Sequence, residues 1–181
     1  MVNYTVPGLK IDDADELVAL LQDRLNALND LALTLKHVHW NVVGPNFIAV
    51  HTMLDPQVDA VRLMVDDIAE RIATLGGSPA GTPGALVAQR GWDDYSIGRA
   101  GTLEHLGALD VVYVGIIEAQ RRAVGATEDL DPVTQDLLIA QSAQLEQFHW
   151  FVRAHLEGPD GSLSTGNAST EKTAAKRARK R

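Results

Sequence analysis

Apolar residues recur along this chain at three- and four-residue intervals, and the rhythm breaks where glycine and proline gather. Leu17, Leu20, Leu21, Leu25, Leu28, Leu31, Leu35 and Val38 fall on one face of a helix. Asp12 and Asp13 suit its first turn, where acids meet the positive end of the helix dipole. The helix ends before Gly44-Pro45. A second helix is predicted from Phe47 to about Leu75, stopped by Gly76-Gly77. Pro56 lies inside it and removes one backbone donor, which predicts a bend. Val58, Val61, Val65, Ile68 and Ile72 carry the stripe past the proline, so the reading is one bent helix. Residues 76–95 mix Gly and Pro with Trp92 and Tyr95 and read as a crossover with one short helix. A third helix over about 96–126 carries Leu103, Leu106, Leu109, Val112 and Ile116, and its glycines imply close packing to neighbours. Asp131-Pro132, an acid cap followed by proline, opens a fourth helix that runs to about Glu157 and stops at Gly158-Pro159. Residues 1–11 read as an extended arm with a turn at Pro7-Gly8. The organisation is thus an N-terminal arm (1–11), an all-α four-helix bundle (12–157) with a long crossover between helices two and three, and a flexible basic tail (158–181).

Composition narrows the chemistry. With 181 residues the chain is long enough for one domain with a sizeable core. It has no cysteine, which excludes disulfides, thiolate zinc sites and thiol catalysis. No basic start followed by an apolar run marks a signal peptide, and no apolar stretch is long enough to span a bilayer, so a cytoplasmic location is expected. The net charge of −8 is unevenly spread. Residues 171–181 carry six Lys/Arg and one Glu, a side-chain balance of +5, and the other 170 residues stand at −13. An acidic body with a basic tail suits two different classes of partner.

Five residues between 39 and 70 carry the strongest chemical signal: His39, His51, Asp55, Asp66 and Glu70. His51 and Asp55 are four apart, as are Asp66 and Glu70, so each pair lies on one helix face. Asp66 follows Asp55 by eleven residues, close to three turns, so the pairs share a stripe. On one helix His51 and Asp66 are separated by about 22 Å, whereas metal–ligand bonds are only ~2.0–2.2 Å long. One chain cannot gather these residues around one metal. Two antiparallel copies about a two-fold axis can. Imidazole and carboxylate ligands suit Fe(II), Mn(II) and Zn(II). Protonated imidazole does not ligate, so binding should weaken below about pH 6.5, the ordinary histidine value. A competing site within one subunit needs a Glu from each of two helices and a Glu-x-x-His from each of the others. The chain has one such motif, Glu146 to His149, with Glu118 on the third helix. Half a site reads as polar-face residues. The three methionines, Met1, Met53 and Met64, give no reason to expect haem.

The block His39-Trp40-Asn41, then Gly44, Asn46-Phe47, His51, Asp55, Asp66 and Ala69-Glu70-Arg71 resembles the signature of the Dps proteins, the DNA-binding proteins of starved cells. The likeness covers essentially the whole helical body. It implies a ferritin-like bundle, two-fold dimers assembled into a hollow dodecamer, and oxidation of Fe(II) with hydrogen peroxide as preferred oxidant. Ferric mineral is then stored in the cavity. The resemblance implies a two-iron centre across the dimer axis, with His39 and His51 from one subunit, Asp66 and Glu70 from its partner, and Asp55 in the second sphere or on the second iron. It puts Trp40 beside the centre, where it intercepts radicals, and gives Arg71 no more than a structural ion pair. It also implies an iron-entry pore on the three-fold axis at Asp131 and Asp136, within an acidic cluster that includes Glu128 and Asp129.

Lys172, Lys176, Arg177, Arg179, Lys180 and Arg181 have no aromatic residue among them, which suits contact with DNA phosphates rather than base reading. Repeated around an assembly, such tails add by avidity, so non-specific DNA binding and a nucleoid location are expected. The alternative function is a mainly architectural nucleoid protein with little iron storage.

Overall fold

Helix α1 (Ile11–Asn41) buries Leu17, Leu21, Leu25, Leu28, Leu31, Leu35 and Val38 almost completely. Burying one leucine stabilises a fold by about 1.5–3 kcal/mol, so this stripe alone fixes which face turns inward. It packs against α2 (Phe47–Thr74), whose Val50, Leu54, Val58, Val61, Met64, Ile68 and Ile72 complete the hairpin core. Pro56 sits exposed inside α2, and the helix runs through it. Gly76 ends the hairpin with φ +89°, a conformation open to glycine. A Cβ there would also strike the Tyr4 carbonyl oxygen at 2.0 Å. The structure is a computed structural model and describes residues 1–180. Arg181, assigned above to DNA contact, lies outside the described residues.

The crossover is strapped to α1 rather than loose. Its short helix α3 (Pro83–Gln89) is capped by Thr82. Asn26 donates to Gln89, Gln22 bonds both the amide and the carbonyl of Ala80, and Arg90 pairs with Asp30. Strands β1 (Val42–Val43) and β2 (Ala100–Gly101) then pair in parallel. That pairing corrects the expected start of the third helix. Residues 100–101 must be extended to meet β1, so α4 (Thr102–Ala126) begins after them, with Glu104 accepting from the Gly101 amide. Helix α5 (Pro132–Leu156) follows, capped by the Asp131 side chain. The four long helices form a ferritin-like bundle with a short helix in the crossover.

The C-terminal segment departs from the flexible tail expected of 158–181. Helix α6 (Glu171–Ala178) forms there, capped by Thr170, and packs on α4. Ala174, Ala175 and Ala178 are buried, while Lys172, Lys176, Arg177, Arg179 and Lys180 face outward. Gly107 makes the close approach possible, because a Cβ at that position would lie 2.8 Å from the Ala178 Cβ. Arg177 donates to the carbonyls of Thr165 and Gly166, and Arg179 lies 3.7 Å from Glu104. The arm is likewise seated: Val2 is buried and its amide donates to Asp15.

Candidate metal centre

The end of α1 and the first turns of α2 bring three sequence-predicted ligands together. His39, His51 and Asp55 are the group of metal-ligating side chains that converges among the described residues, each offering an atom within 4.8 Å of the others. The tight Gly44–Asn46 turn sets this up. Gly44 (φ +91°) and Asn46 (φ +63°) reverse the chain so that the last turn of α1 faces the first of α2. The two imidazole rings stack with centroids 3.6 Å apart.

Their hydrogen bonds fix which nitrogen is available. His39 Nδ1 lies 2.9 Å from the His51 carbonyl, and His51 Nδ1 lies 2.9 Å from the His39 carbonyl. A carbonyl only accepts, so each Nδ1 carries a hydrogen, and in the neutral ring each Nε2 keeps its lone pair. The backbone thereby leaves the Nε2 of each ring free to accept. Asp55 approaches His39 at Nδ1, at 3.3 Å, rather than at Nε2. It therefore stands on the Nδ1 side of the ring, beside the carbonyl that takes the hydrogen, where a nearby carboxylate supports a ligating histidine by its charge. Lys36 holds Asp55 in turn, Nζ to Oδ1 at 3.0 Å. That bond, with His39 and His51 nearby, keeps the Asp55 carboxyl below its ordinary pKa.

Lys36 is the functional neighbour that sequence reasoning missed. Its spacing from His39, three residues earlier on α1, was the available signal. Lys36 also sits over the Trp40 ring, 5.9 Å from its centroid, and Trp40 is 71% exposed rather than packed in the core.

Asp66 and Glu70 are not brought to this cluster within the chain. Both are exposed further along α2, without an ion pair among the described residues. Asp131 caps α5 through Thr134 and pairs with Arg71, so Arg71 does form the structural ion pair. Asp136, Glu128 and Asp129 are exposed. The competing intrasubunit centre is not assembled: Glu146 pairs with Arg121, and His149 Nε2 bonds Asp110 at 2.8 Å. The bundle centre instead holds neutral polar contacts, Tyr113 donating to Gln57 and Gln120 to Gln141.

The ferritin-like domain family matches residues 18–160. The chain is 58% identical over all 181 residues to the "DNA protection during starvation protein" of Mycolicibacterium smegmatis, covering 99% of that protein. The Mycobacterium smegmatis Dps structure superposes with a TM-score of 0.92 at 58% identity, over 95% of this chain and 98% of that one. DpsA14 from Streptomyces coelicolor does so with 0.90 at 65% identity, over 91% and 98%. A shared bundle, a histidine cluster where two helices meet and identity along the full length leave one conclusion: the chain belongs to the Dps family of ferritin-like proteins.

Proposed function

We propose that this protein oxidises Fe(II) with hydrogen peroxide at centres shared between two-fold related subunits, stores the ferric product in a hollow dodecamer, and binds DNA through its basic C-terminal residues. One observation carries the iron reading. Two free Nε2 lone pairs gather at one end of α2, while two unpaired carboxylates stand exposed further along the same helix. An antiparallel copy brings the acid stretch of one α2 to the histidine stretch of the other. Trp40, Phe47, Ile48 and Leu63, exposed along α1 and α2, supply apolar surface for such pairing.

In this reading His39 and His51 bind iron through Nε2, and the partner subunit's Asp66 and the partner subunit's Glu70 complete the set. Asp55 supports His39 by its charge. Two irons fill each centre, and few protein ligands leave open positions for the oxidant. Two Fe(II) ions give one electron each to a peroxide, which takes two protons and leaves as two waters. Both electrons enter the O–O bond together, so no hydroxyl radical is released. Trp40 stands where it intercepts stray oxidants.

Asp136 and Glu128 supply exposed negative charge for iron entry at the three-fold pore, and Asp131, held by Arg71, fixes the start of α5 beside them. Lys172, Lys176 and Lys180 face solvent and meet DNA phosphates in a salt-sensitive, sequence-independent way. The acidic body repels DNA, so the repeated basic segments are needed. A cytoplasmic, nucleoid-associated place follows from those partners, and no helix among the described residues is long and apolar enough to cross a membrane.

The test is anaerobic loading with Fe(II) followed by a half-equivalent of peroxide, read as ferric absorbance with a spin trap present. The wild-type protein should oxidise iron rapidly without a trapped radical. Losing a mere supporting partner of a ligand costs about 10- to 100-fold in affinity, so His51→Asn, which removes a ligand, should cost at least that. Oxidation by His51→Asn at the wild-type rate and affinity sinks the assignment.

A further inference from the structure

A cleft of about 720 Å³ opens between α1 and α4. The Trp92–Ser96 loop forms one wall, and residues 169–172, leading into α6, form another. Val112, Ile116 and Ala119 give it an apolar floor, and two guanidinium groups line it, Arg24 from α1 and Arg122 from α4.

Arg71, Arg90 and Arg121 are each matched to a carboxylate. Arg24 and Arg122 have no ion pair among the described residues, and the Arg24 Nη1 is buried with no hydrogen-bond partner. The exposed Arg62, Arg99 and Arg153 also lack an ion pair among the described residues, and burial sets Arg24 apart from them. Burial disfavours the Arg24 charge most. Asp23, its chain neighbour, offsets part of that effect, Arg122 adds like-charge repulsion, and the net result is a pKa below the ordinary arginine value. Most acids lining the cleft are already engaged. Asp30 accepts from Arg90 and from the Trp92 indole, Asp94 from Arg90, and Glu171 from the amide and hydroxyl of Ser96. Asp93 is exposed. The arginine side therefore holds cationic donors in want of an acceptor, above a surface that water wets poorly.

We propose that this cleft binds a small organic anion, a carboxylate or phosphate carrying an apolar group, with its charged end on Arg24 and Arg122 and its apolar part on Val112, Ile116 and Ala119. A guanidinium pair fits such a head because planar donors match carboxylate and phosphate oxygens. Residues 169–172 close the cleft, so an occupant holds the start of α6 and stabilises its docking on α4. Occupancy is thereby coupled to how Lys176 and Lys180 are presented. The site is separate from the metal centre, since Arg24 and His39 stand fifteen positions apart on α1, roughly 22 Å at the helical rise.

The test is calorimetric titration of the full-length, assembled protein with phenyl phosphate, benzoate, inorganic phosphate and benzyl alcohol. Phenyl phosphate or benzoate should bind saturably. Inorganic phosphate should bind at least about tenfold more weakly for want of an apolar group, and benzyl alcohol should not bind. A preference between phenyl phosphate and benzoate tells phosphate from carboxylate, and either preference supports the site. Arg24→Gln and Arg122→Gln should each lower the affinity about tenfold or more. Arg122 is exposed, so its replacement leaves folding intact and keeps the test decisive. The better ligand should also slow trypsin cleavage within residues 172–180 of the wild type and not of Arg122→Gln. Equal affinity in Arg122→Gln and wild type, or no saturable binding of any anion, overturns the proposal. Iron oxidation by Arg122→Gln should be unchanged in every case, which separates this site from the metal centre.

Discussion

Asp110 joins three parts of the chain through two hydrogen bonds. It lies on α4, accepts from His149 Nε2 of α5 at 2.8 Å, and accepts from the Thr165 hydroxyl of the C-terminal segment at 2.8 Å. Burial alone would raise its pKa, but the bonds from His149 and Thr165 outweigh burial and hold it below the ordinary carboxylate value. The folded value is therefore lower than the unfolded one, which is about 3.9. Stability from this group is complete above the unfolded value and is lost as pH falls through the folded one. Asp110→Asn keeps the shape and removes the charge. It should cost about 1–3 kcal/mol near neutral pH, the range for leaving buried partners imperfectly matched. Thermal unfolding followed from pH 7 to pH 3 checks this. The wild-type and variant midpoints should converge on the acid side, and a gap that stays constant would show that ionisation of Asp110 is not its source. Asp131, whose carboxyl is also held low, is common to both proteins and cancels in the comparison.

At the scale of elements, the contact of α6 with α4 sets two effects against each other. Gly107→Ala should stabilise an isolated helix by about 0.5–1 kcal/mol, because glycine loses more backbone freedom than alanine. The new Cβ, however, would lie 2.8 Å from the Ala178 Cβ and 2.9 Å from the Ala174 carbonyl oxygen. The bundle should therefore keep its thermal midpoint while α6 lifts away, and trypsin should cut residues 172–180 several-fold faster than in the wild type. Unchanged cleavage would mean that α6 docks by other contacts. The same contact explains what could be read in the sequence. The stripes of α1 and α2 were legible because helical periodicity is a local property, and α5 was legible from Asp131-Pro132. The start of α4 was not, since it depends on pairing of residues 100–101 with residues 42–43, far away in the chain. Helix α6 was hidden behind its charges: the run of Lys and Arg drew the reading, while Ala174, Ala175 and Ala178 already marked one small-residue face and Thr170 a cap. At the site, the His51–Asp55 pair was legible from its four-residue spacing, while His39 joined the set through the family resemblance, and the fold brings the three together. That Asp55 stands behind His39, steadied by Lys36, required the turn that folds α2 back on α1.

For the whole molecule, the decisive question is whether a centre is built by one subunit or by two. Within the chain His51 and Glu70 lie nineteen residues apart on one helix, about 28 Å at the helical rise. The proposed site therefore requires that the two residues act in different subunits. Mixed assemblies test this directly. His51→Asn and Glu70→Gln should each abolish tight iron binding when every subunit carries the change, and Glu70 is exposed, so its replacement leaves the fold alone. When the two variants are refolded together, half of the dimers pair one of each. In such a dimer one centre takes both defective residues and the other takes none. About a quarter of all centres should then regain wild-type iron binding under random two-fold pairing. Each intact centre should also oxidise its iron at the wild-type rate, since no residue within it has changed. A site contained in one subunit gives no such recovery, because every copy still carries one defective residue. Recovery near a quarter, read as tightly bound Fe(II) per subunit, supports the shared centre, and its absence in demonstrably mixed dimers leaves the two-subunit geometry without support.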